Sequence, residues 1–154
     1  MRWIFYVNLY IHEVLELAAA AKTKEEKIKI LKEHETIALK SILRGAMDSL
    51  IVFTLPEGTP PYNAENTPDG YSKSSIHRQA KKFTYFVKGG RGDGLPSVRR
   101  EKMFIEVLES VHPKDAEVLI LMKDKKLIYK NNTAHYKGIT KKLVQEAFPN
   151  LIKD

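Results

Sequence analysis

The residues best suited to chemistry lie near the carboxyl end, where a glycine, a threonine and three lysines surround a predicted helix start. Gly138 and Thr140 come directly before the apolar spacing of a short helix, and Thr140 can cap it. Unpaired N–H groups and the helix dipole at such a start attract anions, above all phosphate. We therefore predict a nucleic-acid phosphate contact at which residues 138–140 offer backbone N–H groups. Its residues are Lys137, Gly138, Ile139, Thr140, Lys141 and Lys142.

A second group of cations lies around the glycine-rich stretch 89–94, at the start of the next predicted helix, and in the polar loop at 130–134. A cation at a helix start opposes the dipole and costs stability unless an anion binds there. The glycine stretch lacks the Gly-Lys-Ser/Thr ending of a P-loop, so we do not expect a mononucleotide site. We predict that these cations extend the nucleic-acid contact, with an ordinary solvated surface as the alternative. They are Lys88, Arg91, Arg99, Arg100 and Lys130.

Charge is distributed unevenly along the 154-residue chain, and it supports a nucleic-acid contact in the second half. Residues 1–70 hold 8 Lys and Arg against 10 Asp and Glu, whereas residues 71–154 hold 18 against 9. The two halves therefore carry −2 and +9, within a total of +7. A polyanionic partner should face the second half.

Other kinds of chemistry find little support in the residue types. The chain has no cysteine, which excludes disulfides, thiol nucleophiles and cysteine-based zinc sites. Its five histidines are far apart and match no metal-ligand spacing, so we expect them to be surface or capping residues. We expect no cofactor, no metal and no catalytic residue. The apolar start of the chain is short of the ~20 residues that a membrane span needs, so we expect no membrane partner.

Apolar spacing predicts the elements that position these residues. Helical periodicity follows Ile11, a capping box begins at Thr23, and another helix runs from near Thr36 to Met47. Spacing from Ile76 to Val87 predicts a further helix, and Val118–Met122 should lie in the middle of the core. Helices are also predicted after Pro96, from Pro113 and after Thr140. We expect one all-α domain over residues 1–154, with six or seven short helices and a possible extension at 1–10.

A long proline-containing loop at residues 56–72 interrupts this helical pattern. It holds four prolines before Gly70, and the sequence leaves open whether it is ordered or mobile. As an alternative to DNA binding, this loop would dock the chain on another protein. The contact residues would be Pro56, Glu57, Pro60, Pro61, Tyr62 and Tyr71.

Segments at both ends resemble a known domain. IHEVLELAAAAKTKEEKIKILKEHETIALKSILRGAMDSLIVFTL resembles the start of the N-terminal DNA-binding domain of ATP-dependent DNA ligases of the T-even phage type. DAEVLILMKDKKL and GITKKLVQEAFPNLI look like the end of that domain. Through LPEGTPPY, KKFTYFVKGG and EAFPNLI, the chain also resembles small proteins of large tailed phages, including those of cyanobacteria. These resemblances imply a fold similar to the ligase DNA-binding domain and a viral origin.

The catalytic motif of those ligases is missing. It reads Lys-x-Asp-Gly, and in this chain the two Asp-Gly pairs have Thr67 and Arg91 at the lysine position. Because an arginine stays protonated, it cannot serve as the nucleophile. We therefore expect a non-enzymatic, virus-encoded accessory protein of the host cytoplasm that binds duplex DNA by its backbone. The alternative is an interaction or virion-associated module that docks on a phage or host replication or transcription protein. Oligomeric state stays open.

Overall fold

Seven α-helices are formed by the residues that the structure, a computed structural model, describes, namely 9–66, 68, 71–127 and 136–154. Two short 3₁₀ segments, Ala80–Tyr85 and Arg91–Gly94, lie between the fourth and fifth helices. The predicted all-α class and the predicted number of helices are confirmed. The helices are α1 (Ile11–Ala20), α2 (Lys24–Glu33), α3 (Ile37–Met47), α4 (Ile76–Gln79), α5 (Ser97–Ser110), α6 (Pro113–Lys123) and α7 (Lys141–Ala147).

Threonine side chains begin three of these helices, as their positions in the sequence predict. Thr23 accepts a hydrogen bond from the backbone N–H of Glu26 at 3.2 Å. Thr36 caps α3 through Leu39 at 3.0 Å, and Thr140 caps α7 at 3.1 Å. Each bond satisfies one of the N–H groups that a helix start leaves without an intrahelical partner.

Helix α6 lies at the centre of the core. Val118 and Leu119 are fully buried, and Met122 is 1% exposed, as the uninterrupted apolar run predicts. Helices α1, α3 and α5 all pack against α6, while α2 packs between α1 and α7. The predicted phosphate contact at α7 is therefore held by α2, which precedes it by more than a hundred residues.

The helix predicted from Ile76 to Val87 is wrong in its second half. Helix α4 ends at Gln79 and continues as a 3₁₀ segment to Tyr85, after which Val87 forms an isolated antiparallel bridge with Phe53. Phe86, not Val87, is the residue that enters the core, where its ring meets Phe104 edge-on at 5.3 Å. An α-helix would turn Phe86 away from the face that carries Ile76.

The described residues contain no α-helix between Met47 and Ile76, so the predicted interruption is confirmed. Most of the 56–72 loop is described, apart from 67, 69 and 70. Of the possible extension at 1–10, residues 1–8 lie outside the described part of the chain, and Leu9 packs against the core.

Candidate nucleic-acid interface

The turn before α7 differs in one detail from the predicted phosphate contact. Gly138 has a φ of +91°, a left-handed conformation that side chains other than glycine rarely adopt. The turn directs Ile139 into the core, where it is 1% exposed, and the Ile139 N–H donates to the carbonyl of Tyr136 at 3.2 Å. Ile139 therefore offers no N–H group to a ligand, and the seven-residue α7 has only a small dipole. Of the three predicted N–H donors, Ile139 is thus already used, and side-chain charge has to supply most of the attraction for an anion here.

The three lysines of this turn are not equivalent. Lys137 and Lys142 are exposed, and neither forms an ion pair with a residue that the structure describes. Lys141 instead donates to Asp154 at 2.8 Å, and Asp154 also accepts from the backbone N–H of Ser49 at 3.0 Å. These bonds, the one from Lys141 foremost, hold the pKa of Asp154 well below its usual range. Lys141 therefore ties Asp154 to α7, while Ser49, which follows α3, holds the same carboxylate; Lys141 is a poor candidate for phosphate binding.

Helix α2 adds two lysines to the same turn. A recess of about 320 Å³ separates α2 from α7, with Lys24 and Lys27 on one side and Lys142 on the other. Lys24 pairs with Glu146 at 2.7 Å, and Lys27 donates to three carbonyls at the end of α1. Both lysines were missed from the sequence because only the packing of α2 on α7 brings them to the turn.

The second group of cations surrounds a rigid turn. A Cβ atom on Gly92 would overlap the carbonyl of Tyr85, so the glycine permits a close backbone approach. The turn is closed by Asp93, which accepts from the N–H of Gly89 at 2.8 Å. Lys88, Arg91 and Arg99 are exposed around it, and none has an ion pair within the described residues. These three remain candidates.

Arg100 and Lys130 differ from these three. The Arg100 guanidinium donates to the carbonyl of Gly92 at 3.0 Å and to that of Leu95 at 2.6 Å. It therefore braces the turn against α5 and is a weaker candidate for a nucleic-acid contact than Arg99. Lys130 lies outside the described residues.

The two groups of free cations are connected by a short path. Ser49 bonds to Asp154 near α7, and the N–H of Lys88 donates to the carbonyl of Val52 at 2.8 Å. The three steps from Ser49 to Val52 span at most about 11 Å, so a short segment links the turn before α7 to Lys88.

The 56–72 loop is ordered at its start by a buried ion pair. Lys123, whose side chain is 2% exposed, donates to the carbonyls of Pro56 and Gly58 and to Asp124 at 2.6–2.9 Å. Asp124 in turn accepts from the N–H of Gly58 at 3.1 Å. Of the predicted protein-contact residues, Pro56, Glu57, Pro61 and Tyr71 are exposed, whereas Pro60 and Tyr62 are half-buried.

Among the described histidines, His12 departs from the predicted surface or capping positions. His12 is 6% exposed and His112 9%, and their rings lie 4.7 Å apart beside Tyr10. His112 does cap α6, accepting from Lys114 at 3.0 Å, but His12 is a core residue whose backbone N–H donates to buried Asp115 at 2.9 Å. Burial raises the pKa of Asp115. No group of three or more His, Asp or Glu within the described ranges is arranged to hold a metal ion.

No helix in the described part is long and apolar enough to cross a membrane.

Comparison with known proteins places most of the chain in one family. Neither the curated proteins nor the solved structures contain a match to this chain. A family model does match residues 14–129, about three quarters of the sequence, and its description is a family of unknown function, DUF6433. The chain therefore belongs to the DUF6433 family.

Proposed function

We propose that this chain is a non-catalytic protein that binds duplex DNA through the phosphate backbone, with little reading of the bases. The observation that carries the proposal is the set of exposed cations, at the turn before α7 and around the turn at 89–94, that form no ion pair with any described residue. Such cations can exchange their counterions for phosphates, whereas Lys141 and Arg100 are already engaged. The set comprises Lys88, Arg91, Arg99, Lys137 and Lys142.

The resemblance to the ligase DNA-binding domain supports the choice of duplex DNA. The resemblance to small proteins of tailed phages supports a virus-encoded accessory protein that acts in the host cytoplasm. The absence of a catalytic role rests on Arg91, which stands where a ligase would have its reactive lysine and cannot act as a nucleophile.

Fluorescence anisotropy with a labelled duplex tests the proposal at several salt concentrations. Five phosphate contacts predict a slope of log K against log salt near about −4.5, and Lys137→Glu with Lys142→Glu should make it shallower by about 1.8. Lys73→Glu with Lys114→Glu changes the net charge equally at two exposed lysines outside the proposed surface and serves as the matched control. Equal binding by the two double variants would contradict the assignment of this surface, and no binding at low salt would contradict DNA binding.

A second candidate function is docking on another protein through the 56–72 loop, such as a phage or host replication or transcription protein or a virion component. The observation in its favour is the buried Lys123, which holds the start of the loop in one conformation. A preordered loop loses less conformational entropy when it binds. A photo-crosslinking residue at exposed Pro61, compared with one at exposed Lys102, tests this in infected cells. A partner that is captured at position 61 alone supports docking, and equal capture at both positions contradicts it.

A further inference from the structure

The loop forms one wall of a polar recess on the side of the molecule that carries α1 and α6. The recess has a volume of about 440 Å³, in the range of sites that hold a small ligand or a side chain. Tyr62 of the loop and Tyr136 are aromatic residues of its lining, and Ile120 and Leu121 supply apolar surface. We call this cavity the tyrosine recess.

Charge in the tyrosine recess is opposite in sign to that of the chain as a whole. Glu16 and Glu117 line it against a single lysine, Lys114. Glu117 forms no ion pair with a described residue, and Glu16 uses one carboxylate oxygen to meet His12 Nδ1 at 2.9 Å. The recess is thus negative within a chain of net charge +7.

The same carboxylates act on the two phenols of the recess. Burial, followed by the charge of Glu117, raises the pKa of Tyr62. Burial also raises the pKa of Tyr136, and the carboxylates of Glu16, Asp115 and Glu117 raise it further. Carboxylates that oppose the ionisation of a neighbouring phenol would equally stabilise a cation placed in the recess.

We propose that the tyrosine recess binds the guanidinium group of an arginine side chain presented by a partner protein. A guanidinium is planar, stacks on aromatic rings and donates paired hydrogen bonds to carboxylates, which matches two phenols and two glutamates in one cavity. Charge complementarity selects this occupant over an acidic or purely apolar segment. The inference deepens the second candidate function and rests on it, because the docking loop supplies Thr59 and Tyr62 to the lining.

The recess is preformed on its loop side. Gly58, the neighbour of Thr59, is held by Asp124 through its N–H and by Lys123 through its carbonyl. A lining that is already in place needs little rearrangement to receive a side chain. Binding should therefore be detectable with a single amino acid derivative.

The test is a ¹⁵N NMR titration of the full chain with N-acetyl-arginine amide. N-acetyl-citrulline amide, which has nearly the same shape but no charge, is the matched ligand. The expected result is saturable shifts at the amides of Tyr62, Glu117 and Tyr136 with the arginine probe alone. Glu117→Gln should weaken that binding by about fivefold, and Glu106→Gln, at an exposed carboxylate of α5, should leave it unchanged.

Equal responses to the two ligands, or equal affinities of wild type and Glu117→Gln, would overturn the proposal. Failure of the second candidate function gives a different pattern. A partner captured through position 61 without any arginine response would leave loop docking intact and refute only the guanidinium site. Saturable arginine binding at the recess, weakened about fivefold by Glu117→Gln, supports the site.

Discussion

Replacement of Lys123 by methionine should loosen the loop and destabilise the whole fold. Methionine keeps most of the apolar stem but removes the ammonium that the carbonyls of Pro56 and Gly58 and the Asp124 carboxylate all contact. Removing one partner of a buried ion pair costs about 3–5 kcal/mol, since the other charge stays buried without compensation. Asp124 keeps one bond, from the N–H of Gly58, so we expect a loss near the lower limit, about 3 kcal/mol.

Two measurements check this prediction. Urea denaturation followed by circular dichroism gives the free energy of unfolding, and hydrogen exchange of the Gly58 amide reports the loop itself. Lys126→Met is the control, because Lys126 pairs with Glu57 at 3.2 Å on the surface and should contribute at most about 1 kcal/mol. A loss below about 1 kcal/mol for Lys123→Met, with Gly58 still protected, would refute the claim that Lys123 orders the loop.

Three further predictions concern other parts of the site and core. Gly138→Ala should lower the free energy of unfolding by about 1–3 kcal/mol, because alanine is strained at the positive φ of this position. Gly94→Ala is the control, since its φ is not positive and a Cβ there meets no atom within 4 Å. Thermal or urea unfolding compares the two variants. Asp115→Asn keeps an acceptor for His12 and removes a charge whose pKa is raised by burial, so it should raise stability at pH 7. That gain should fade as the pH falls from 7 through the raised pKa, because the wild-type carboxyl then takes up a proton in the folded protein; urea midpoints at successively lower pH values measure it. Arg99→Gln should make the salt dependence of DNA binding shallower by about 0.9 without changing the free energy of unfolding. Arg100→Gln should instead lower the free energy of unfolding by about 1–3 kcal/mol, because it removes the bonds to Gly92 and Leu95, and should leave the salt dependence unchanged. Anisotropy measures the first quantity and urea unfolding the second.

The helices could be predicted from the sequence because their signals are local. The capping threonines Thr23, Thr36 and Thr140 lie just before apolar residues at helical spacing, and the run Val118–Met122 has no polar residue to place outside. The helix predicted after Ile76 is wrong in its second half because the apolar residues there fit two different spacings. Phe86 and Phe83 compete for the core, and a contact with Phe104, eighteen residues further on, decides in favour of Phe86.

The sequence indicates which residues of the candidate site carry charge, but not which of them form bonds within the protein. Lys141 and Lys142 are adjacent and chemically identical, yet only Lys141 reaches Asp154. Arg99 and Arg100 differ in the same way, because one turn of α5 points one guanidinium at the carbonyls of Gly92 and Leu95. Such contacts depend on how a helix is rotated against its neighbours, which residue spacing alone does not determine.

The buried polar residues were beyond sequence-based prediction. Asp115 and His12 are 103 positions apart, and Lys123 meets a loop more than sixty residues earlier in the chain. A charge in an apolar helix end, such as Lys123 directly after Met122, is the one signal that could have indicated a buried lysine with a partner.

The central claim, that the free cations bind duplex DNA, is tested most directly by a ¹⁵N NMR titration of the full chain with a short duplex at low salt. The account predicts that the amide signals of both groups shift together, that the shifts saturate at one duplex per binding surface, and that added salt reverses them. The residues are Lys137, Gly138, Lys142, Lys88, Arg91 and Arg99. Shifts that are confined to the loop at 56–62, or none at all, would contradict the account.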